Sequence, residues 1–322
     1  MGDQRSSIQV GVLRESELAE AGRIVRLAFG TFLGMANPLD FMGDRDFVSP
    51  RWRAPNTKVL AARENGKLIG SNVLTRWGSF AFFGPLTVLP HYWNHGVAQR
   101  LLAATVKVFD QWGVSRSGLF TFPHSAKHVG LYQRFGYWPG YLTALTRRTP
   151  EARVAPVTKN AKPAVLLSTL ARADNEKAVR ACAKLTGALQ KGLDLSQEIA
   201  AVLAQRIGEV ILVPGRNSLD GFAICMFGAG SEGGEKSVYV KFAAARDGSG
   251  AADRFIRLLD VIEELAVEHG SDVEAGASLA CEPAFRLMQA RGYRATTFGV
   301  AMQRPHGEGL NRRSAYVVCD WR

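Results

Sequence analysis

The sequence predicts an α/β protein (α+β, mixed sheet) made of two similar units, each a twisted mixed sheet with flanking helices. Three observations support this fold class. Short apolar runs typical of strands alternate with amphipathic helical patterns along the chain. The order of elements in the first half recurs in the second, at a spacing of about 155 residues. The 322 residues suffice for two domains, and the 47% apolar content allows each to bury a core.

The first half reads as a complete set of strands and helices. We predict a strand at 8–13, a helix at 15–29, hairpin strands at 58–63 and 68–74, a strand at 79–88, a helix at 96–112, a strand at 118–122, a helix at 126–135 and a closing strand at 141–147. Asn65 and Gly66 set the hairpin turn, because both residue types tolerate positive φ. Residues 31–52, rich in Gly, Pro, Asp and aromatics, read as a loop.

The second half repeats this order. The matching segments are a hairpin at 209–227, a strand at 238–245, a Gly-containing turn and helix start at 250–254, a segment ending a helix at 284–293 and a last strand at 316–321. We therefore predict a first domain at 1–148, a basic, proline-containing linker at 149–163 and a second domain at 164–322.

One segment of the first half has the pattern of a phosphate-binding site. An apolar run ends at Val88, Pro90 and a polar turn with Gly96 follow, and a helical pattern then begins. In such a strand–turn–helix unit, free backbone N–H groups and the helix dipole converge on one point, where a pyrophosphate can bind. Gly96 would let the main chain approach the ligand closely.

This segment resembles the acetyl-CoA motif of the GNAT family of acyl-CoA-dependent N-acetyltransferases, V-x-P-x-x-[RQ]-x-x-G-x-[GA]. Val88, Pro90, Gly96 and Ala98 fall in matching places, whereas Trp93 takes the Arg/Gln position. Trp93 departs from the family because its indole N–H is a donor only and carries no charge.

A second segment, about thirty residues further on, resembles the family's N-x-x-A-x-x-x-Y-x-x-x-G-[FY] motif. Tyr132, Gly136 and Tyr137 match, while Ser125 and His128 stand where Asn and Ala are usual. The two motifs keep the family's order and spacing, and the resemblance covers roughly residues 8–148. Together with the internal repeat, it implies two tandem GNAT-like domains, of which the first is catalytic.

The resemblance also implies a cofactor site for acetyl-CoA. The central strand's main chain would bond the pantetheine arm and the acyl oxygen, and the following loop would hold the pyrophosphate. The implied cofactor-binding residues are Leu86, Thr87, Val88, Trp93, Asn94, His95, Gly96, Val97, Ala98, Gln99 and Ser125. Ser125 also suits the N-cap of the following helix.

Tyr132 and His124 are the catalytic candidates. Tyr132 takes the family's general-acid position, and a phenol with a pKa near 10 suits protonation of a thiolate. A half-buried structural tyrosine is the alternative. An imidazole is the side chain best suited to proton transfer near neutral pH, so His124 could accept the amine's proton, or it could simply order its loop. Three other candidate bases, in the 31–52 loop, are Asp40, Asp44 and Asp46.

The second half lacks these groups. Met288 stands where Tyr132 stands in the first half, and Met has no proton to give. Asp247, in the Arg/Gln position, would repel a pyrophosphate, although Gly248 and Gly250 could form an anion nest. We therefore expect a degenerate copy that does not catalyse.

The composition of the chain limits the ligands, compartments and partners that we expect. The four cysteines form no CxxC pair, so we expect no metal and a reducing, cytoplasmic setting. No apolar run approaches the ~20 residues of a membrane span, and the first residues lack the apolar stretch expected of a signal peptide. The net charge of +11 is either solvated surface or steers an anionic cofactor. The basic residues are scattered, so we expect no nucleic-acid partner.

The leading hypothesis is transfer of an acetyl group from acetyl-CoA to a primary amine, by direct attack in a ternary complex. A covalent cysteine route is disfavoured because residues 1–181 contain no Cys. The acceptor is a small-molecule or peptide amine, and the protein is a monomer or homodimer. Two alternatives stay open: a non-catalytic acyl-CoA-binding or regulatory protein, and an acyltransferase that uses a longer acyl-CoA.

Overall fold

The protein is described by a computed structural model that covers residues 8–152 and 162–322. The predicted linker at 149–163 lies mostly outside the described residues, which omit 153–161. The domain bounds at 148 and 164 therefore remain predictions.

The first half contains six strands and four α-helices within the described residues. The strands are β1 (Gln9–Val12), β2 (Thr57–Glu64), β3 (Lys67–Trp77), β4 (Phe80–Val88), β5 (Arg116–Thr121) and β6 (Trp138–Arg148). The helices are α1 (Leu18–Phe32), α2 (Ser49–Arg53), α3 (Val97–Trp112) and α4 (Ala126–Gln133).

The second half repeats this order and adds one short strand at its end. Its strands, among the described residues, are β7 (Val165–Leu166), β8 (Gly208–Pro214), β9 (Leu219–Gly228), β10 (Gly234–Ala245), β11 (Asp272–Ser278), β12 (Arg294–Arg304) and β13 (Val317–Val318). Its helices are α5 (Arg172–Leu189), α6 (Ser196–Gln205), α7 (Ala251–Glu268) and α8 (Glu282–Ala290).

These elements confirm the predicted order of strands and helices. The β2–β3 turn has Asn65 and Gly66 at φ 49° and 77°, as the hairpin prediction requires. The segment predicted as loop at 31–52 differs in part. There α1 runs on to Phe32, residues 38–40 form a 3₁₀ turn, and α2 begins at Ser49 with Pro50 in its first turn.

Over the described residues, all thirteen strands join in one mixed sheet. Its order is β1-β2-β3-β4-β5-β12-β6-β11-β10-β9-β8-β7, and β13 pairs with β10. The β4–β5 and β10–β11 pairs are parallel, and the other pairs are antiparallel. The two parallel pairs occupy equivalent places in the two halves, which is the structural form of the sequence repeat.

The two halves exchange their closing strands. β12, from the second half, pairs with β5 from Val300↔Thr121 to Arg304↔Ser117. β6, from the first half, pairs with β11 from Thr143↔Ser278 to Arg148↔Val273. β6 and β12 also pair with each other, so hydrogen bonds run across the middle of the sheet without an open edge.

The hydrophobic core also joins the two halves. One cluster joins α1, α3 and the first hairpin. The other joins α5, α6 and α7 to the second half-sheet, and it includes Trp77, Phe80 and Phe82 from the first half. The Trp77 indole Nε1 donates to Glu198 Oε2 on α6 at 2.9 Å, so the polar atom of this buried ring is satisfied across the two halves.

A buried ionic cluster also joins the halves. Glu232 lies between Arg51 of α2 and Lys241 of β10, with N–O distances of 2.6 and 2.9 Å. All three residues are at most 4% exposed. Arg51 Nη1 also donates to the Gly84 carbonyl of β4 at 2.6 Å. The two cations hold the pKa of Glu232 down at about 2 against desolvation.

We expect Glu232→Gln to reduce the free energy of unfolding by about 3–5 kcal/mol, because Arg51 and Lys241 would then be buried without a counter-charge. Urea denaturation measures this loss. The matched control is Glu20→Gln, since Glu20 pairs with Arg23 at the surface and should change stability by less than about 1 kcal/mol.

The loss of stability in Glu232→Gln should also depend on pH. Because the folded pKa of Glu232 lies below its ordinary value of 4.5, the stabilisation is complete above that value and is lost as the pH falls toward 2. The difference between wild type and Glu232→Gln should shrink over that interval. A constant difference would contradict the ionic role of Glu232.

Candidate active site

The site begins where two parallel strands diverge. β4 pairs with β5 only from Phe80↔Arg116 to Phe83↔Leu119. Beyond Phe83, β4 keeps its β3 partners, up to Gly70↔Val88. The main chain from Leu86 to Val88 therefore has no strand partner on the β5 side, and a slot opens there.

The predicted phosphate loop closes one end of this slot. Gly96 is the N-cap of α3 at φ 78° and ψ 4°, and no side chain caps the helix. A Cβ at Gly96 would have one heavy-atom neighbour within 4 Å, Gln99 Oε1 at 3.8 Å. The first N–H groups of α3 thus face open space, which fits a pyrophosphate held by main-chain donors and the helix dipole.

Trp93 fixes this loop. Its indole Nε1 donates to the Val88 carbonyl at 2.8 Å, so the loop is tied to the end of β4. That N–H is therefore occupied by the main chain. Positive charge comes from Lys127, whose ammonium lies 5.9 Å from the Trp93 ring centroid.

Most of the residues predicted to bind the cofactor lie on one cavity of about 700 Å³. The predicted cofactor-binding residues that line it are Leu86, Thr87, Val88, Trp93, Asn94, Gly96, Val97, Ala98, Gln99 and Ser125, and the predicted catalytic residue Tyr132 lines it too. Two predicted residues, His95 and His124, are not part of the lining. Ser125 occupies the N-cap position of α4 without a side-chain capping bond, so its hydroxyl is not used by the helix.

Tyr132 reaches the cavity from α4 and is 7% exposed. Its ring lies 5.8 Å from that of Phe83, at the point where β4 and β5 separate. Burial raises the pKa of Tyr132 to about 12, and a hydrogen bond with Thr121 partly offsets the shift. The phenol therefore keeps its proton at neutral pH and can act as a donor.

The two nearby histidines differ in placement. His124 is exposed in the turn before α4, with its ring stacked 6.0 Å from Phe32. His128, one helical turn into α4, lines the cavity, 5.1 Å from the same ring. Burial, and then the positive charge of Lys127 and the influence of His124, lower the pKa of His128 below 6.5. His128 is therefore neutral at pH 7 and can accept a proton.

The three loop aspartates predicted as alternative bases lie outside the lining of this cavity. Asp46 accepts from the Val48 and Ser49 N–H groups at the start of α2. Asp44 accepts from the Glu235 N–H at 2.8 Å, and Asp40 from the Asn37 side chain at 2.8 Å. Each is thus placed to order its loop.

The strands of the second half diverge in the same way, but there a further strand of the protein, β13, occupies the slot. β10 pairs with β11 only from Ser237↔Asp272 to Val240↔Ala275. Beyond this point β13 pairs with β10, at Ala243↔Val318 and Ala244↔Val317. The slot that is open beside β4 is thus closed beside β10 by a strand.

The second loop is also altered. Gly250 caps α7 at φ 74° and ψ 15°, nearly the conformation of Gly96. Arg254 Nε and Nη2 donate to loop carbonyls of Arg246, Asp247 and Gly248 at 2.9–3.3 Å. Arg312 pairs with the Asp247 carboxylate at 2.7 Å. The loop before α7 thus keeps the conformation of the Gly96 loop. It is held by hydrogen bonds from Arg254, however, and it carries the carboxylate of Asp247.

A slot between diverging strands, ended by an uncapped helix N-terminus, places the protein in the class of acyltransferase folds. Residues 31–137 match the model of the acetyltransferase (GNAT) family. The first half of the chain is therefore similar to a GNAT acetyltransferase domain over these residues, and the whole chain has the fold of tandem GNAT proteins. No curated protein is significantly similar in sequence.

Solved structures share this fold over nearly the whole chain. A protein from Pyrococcus horikoshii described as a putative acetyltransferase has a TM-score of 0.64 at 14% identity, covering 98% of this chain and 95% of that one. A tandem GNAT protein from the clavulanic acid biosynthesis pathway has 0.59 at 14%, covering 92% and 98%. A GCN5-related N-acetyltransferase from Sphaerobacter thermophilus has 0.56 at 12%, covering 94% and 96%.

Two features are absent from the described residues. None of the helices in 8–152 and 162–322 is long and apolar enough to cross a membrane. Over the same ranges, His, Cys, Asp and Glu side chains form no group of three or more that could hold a metal ion.

Proposed function

We propose that the first half transfers an acetyl group from acetyl-CoA to a primary amine. The observation that carries this proposal is a single cavity that reaches from the Gly96 loop to the Tyr132 phenol. The loop suits a pyrophosphate, the unpaired edge of β4 suits the amides of a pantetheine arm, and the phenol suits a leaving sulfur. When bound, acetyl-CoA would supply an activated acyl carbonyl.

The residues on the cavity suit a direct transfer. The amine nitrogen forms a bond to the acyl carbon, the carbon–sulfur bond breaks, and His128 accepts the proton that the nitrogen loses. Tyr132 donates to the departing sulfur, which leaves as a thiol, and solvent returns the proton of His128 to the phenolate. No nucleophilic thiol is required. All four cysteines are free and buried, and none lines the cavity.

The test is release of CoA thiol from acetyl-CoA with a panel of amines, together with the affinity of the protein for CoA. Amine-dependent thiol release and a matching N-acetyl product support the proposal. Tight CoA binding without transfer to any amine would favour the non-catalytic alternative. Faster turnover of longer acyl-CoA donors would shift the assignment to the longer-chain alternative.

We expect His128→Asn to lower kcat/KM by about 10²-fold, because the cavity would lose its neutral proton acceptor. With an arylamine acceptor, which is uncharged over this range, the wild-type kcat/KM should decline only below pH 6.5, since the pKa of His128 lies below that value. The variant should lose this decline. His124→Asn tests the alternative base. A larger loss of kcat/KM in His124→Asn than in His128→Asn would assign the role of base to His124.

A further inference from the structure

The end of the cavity away from the phosphate loop is strongly aromatic. Phe29 and Phe41 stack at a centroid distance of 5.1 Å, and Phe32 and Phe122 lie 5.1 Å apart. All four rings line the cavity. Such a wall favours a ligand with a flat apolar body. This body can stack on the rings, and its apolar surface is then removed from water.

This wall gives a cation no counter-charge. Among the described residues, no aspartate or glutamate lines the cavity. An ordinary alkylamine is protonated at pH 7, and an ammonium ion without a nearby carboxylate loses hydration without gaining a counter-charge. Recognition of the acceptor through an ion pair between its ammonium group and a carboxylate is therefore disfavoured.

A second, polar cavity of about 430 Å³ adjoins this end and shares Met42, Leu145, Thr297 and Arg322 with the main one. Its charged lining side chains are four cations and two carboxylates: Arg45, Arg147, Lys236, Arg322, Asp44 and Glu274. Both carboxylates are already bonded, Asp44 to the Glu235 N–H and Glu274 to Arg45 at 2.7 and 2.8 Å. Arg45 and Arg147 are thus paired with acids, so the cationic character of the junction rests on Lys236 and on the Nη groups of Arg322.

Arg322 is the cation that lies on both cavities. Its backbone carbonyl accepts from Lys241 and Arg51, its Nε donates to Asp320 at 2.9 Å, and its guanidinium lies 4.5 Å from the Tyr239 centroid. The side chain is 16% exposed. Within the described part of the chain, its two Nη groups have no hydrogen-bond partner. A fixed guanidinium with two free donors suits a bidentate anion.

We propose that the acceptor is an amine with an aromatic body and an acidic group, a carboxylate or a phosphate, and that Arg322 binds this acidic group. The inference rests on the proposed function, since it names the acceptor of the same site. The aromatic body lies on the Phe29–Phe122 wall, and the acidic end points to the cationic junction. Arg322 is thus a residue that determines specificity.

The experiment uses matched pairs of amines that differ only in the acidic group. Phenylalanine is compared with phenethylamine, and 4-aminobenzoate with aniline, while the phosphonate analogue of phenylalanine separates carboxylate from phosphate recognition. Transfer is followed by thiol release, and binding to CoA-saturated protein is followed by saturation-transfer NMR. We expect a preference of about 10- to 100-fold for the acidic member, as charged hydrogen bonds provide.

Arg322→Met should reduce that preference to near unity, and Arg322→Lys should keep part of it. Arg147→Met is the matched control, because it removes one positive charge from the same polar cavity but its guanidinium is already paired with Asp272 and Glu274. That control should keep the preference.

The outcomes separate the inference from the proposed function. Equal binding of both members, binding of neither, or an unchanged preference in Arg322→Met overturns the inference. Transfer to neutral and acidic amines alike would do so while the proposed function stands. Absence of transfer to every amine, with the acidic member still bound preferentially, would contradict the proposed function and leave the acidic ligand assigned to Arg322.

Discussion

Tyr132→Phe should lower turnover by about 10²–10⁴-fold while leaving the affinity for acetyl-CoA nearly unchanged. The substitution removes a single oxygen and keeps the ring, so the contact with Phe83 and the packing of α4 persist. The lost group is a phenol that burial keeps protonated, with a pKa of about 12. Its donor would matter only when charge develops on the departing sulfur. Stopped-flow thiol release and calorimetric CoA binding measure the two quantities.

Tyr137→Phe provides the matched control. Tyr137 is also fully buried, and its hydroxyl bonds Ser117 at 3.0 Å, but it does not line the cavity. It should lose some stability and keep its turnover. Equal activity of both variants with the wild type would reduce Tyr132 to a packing residue and support a CoA-binding protein without transferase activity.

The order of elements was predictable because it is encoded locally. The Asn65-Gly66 turn, the apolar stripe of α1 and the strand–turn–helix around Gly96 each depend on a few consecutive residues. The same is true of the two motifs that lead to the cavity. Even the second copy's conformation at Gly250 follows from its local Gly-rich sequence.

The pairing of the strands was not predictable in the same way. The alternating patterns of β6 and β12 show that each is a strand, but either could close either half-sheet. Their exchange is decided by contacts between segments far apart in sequence, such as Val300 with Thr121. The final strand at 316–321 was predicted, yet its place beside β10 depends on the divergence of β10 and β11.

The acceptor end of the cavity could not be predicted from the sequence either. It is assembled from α1, the loop that follows it, β6, β12 and the last residues, so its charge is a property of the folded chain. The choice between His124 and His128 likewise depends on the rotation of α4. The sequence placed His128 at the Ala position of the second motif, and that position proves to line the cavity.

Gly96→Leu should weaken CoA binding by about 10³-fold in a folded protein. The side chain would occupy the space that now lies open before the α3 N-terminus, where Gly96 has one neighbour within 4 Å of a Cβ. Loss of two charge-assisted hydrogen bonds between a pyrophosphate and main-chain N–H groups accounts for an effect of this size. Calorimetry with CoA measures both affinity and stoichiometry, and we expect one site per chain in the wild type.

The strain that leucine introduces at positive φ would also disturb the helix cap, and Gly250→Leu controls for it. Gly250 caps α7 at φ 74°, against 78° for Gly96, so both variants carry a similar backbone cost. Only the first loop opens onto a vacant slot, because β13 covers the equivalent edge of β10. Gly250→Leu should therefore lose at least as much stability as Gly96→Leu, since its Cβ would also lie 3.3 Å from Arg254 Nη1, and should match the wild type in CoA affinity. If Gly250→Leu abolished binding and Gly96→Leu did not, the cofactor would belong to the second half, and the assignment of the two copies would be reversed.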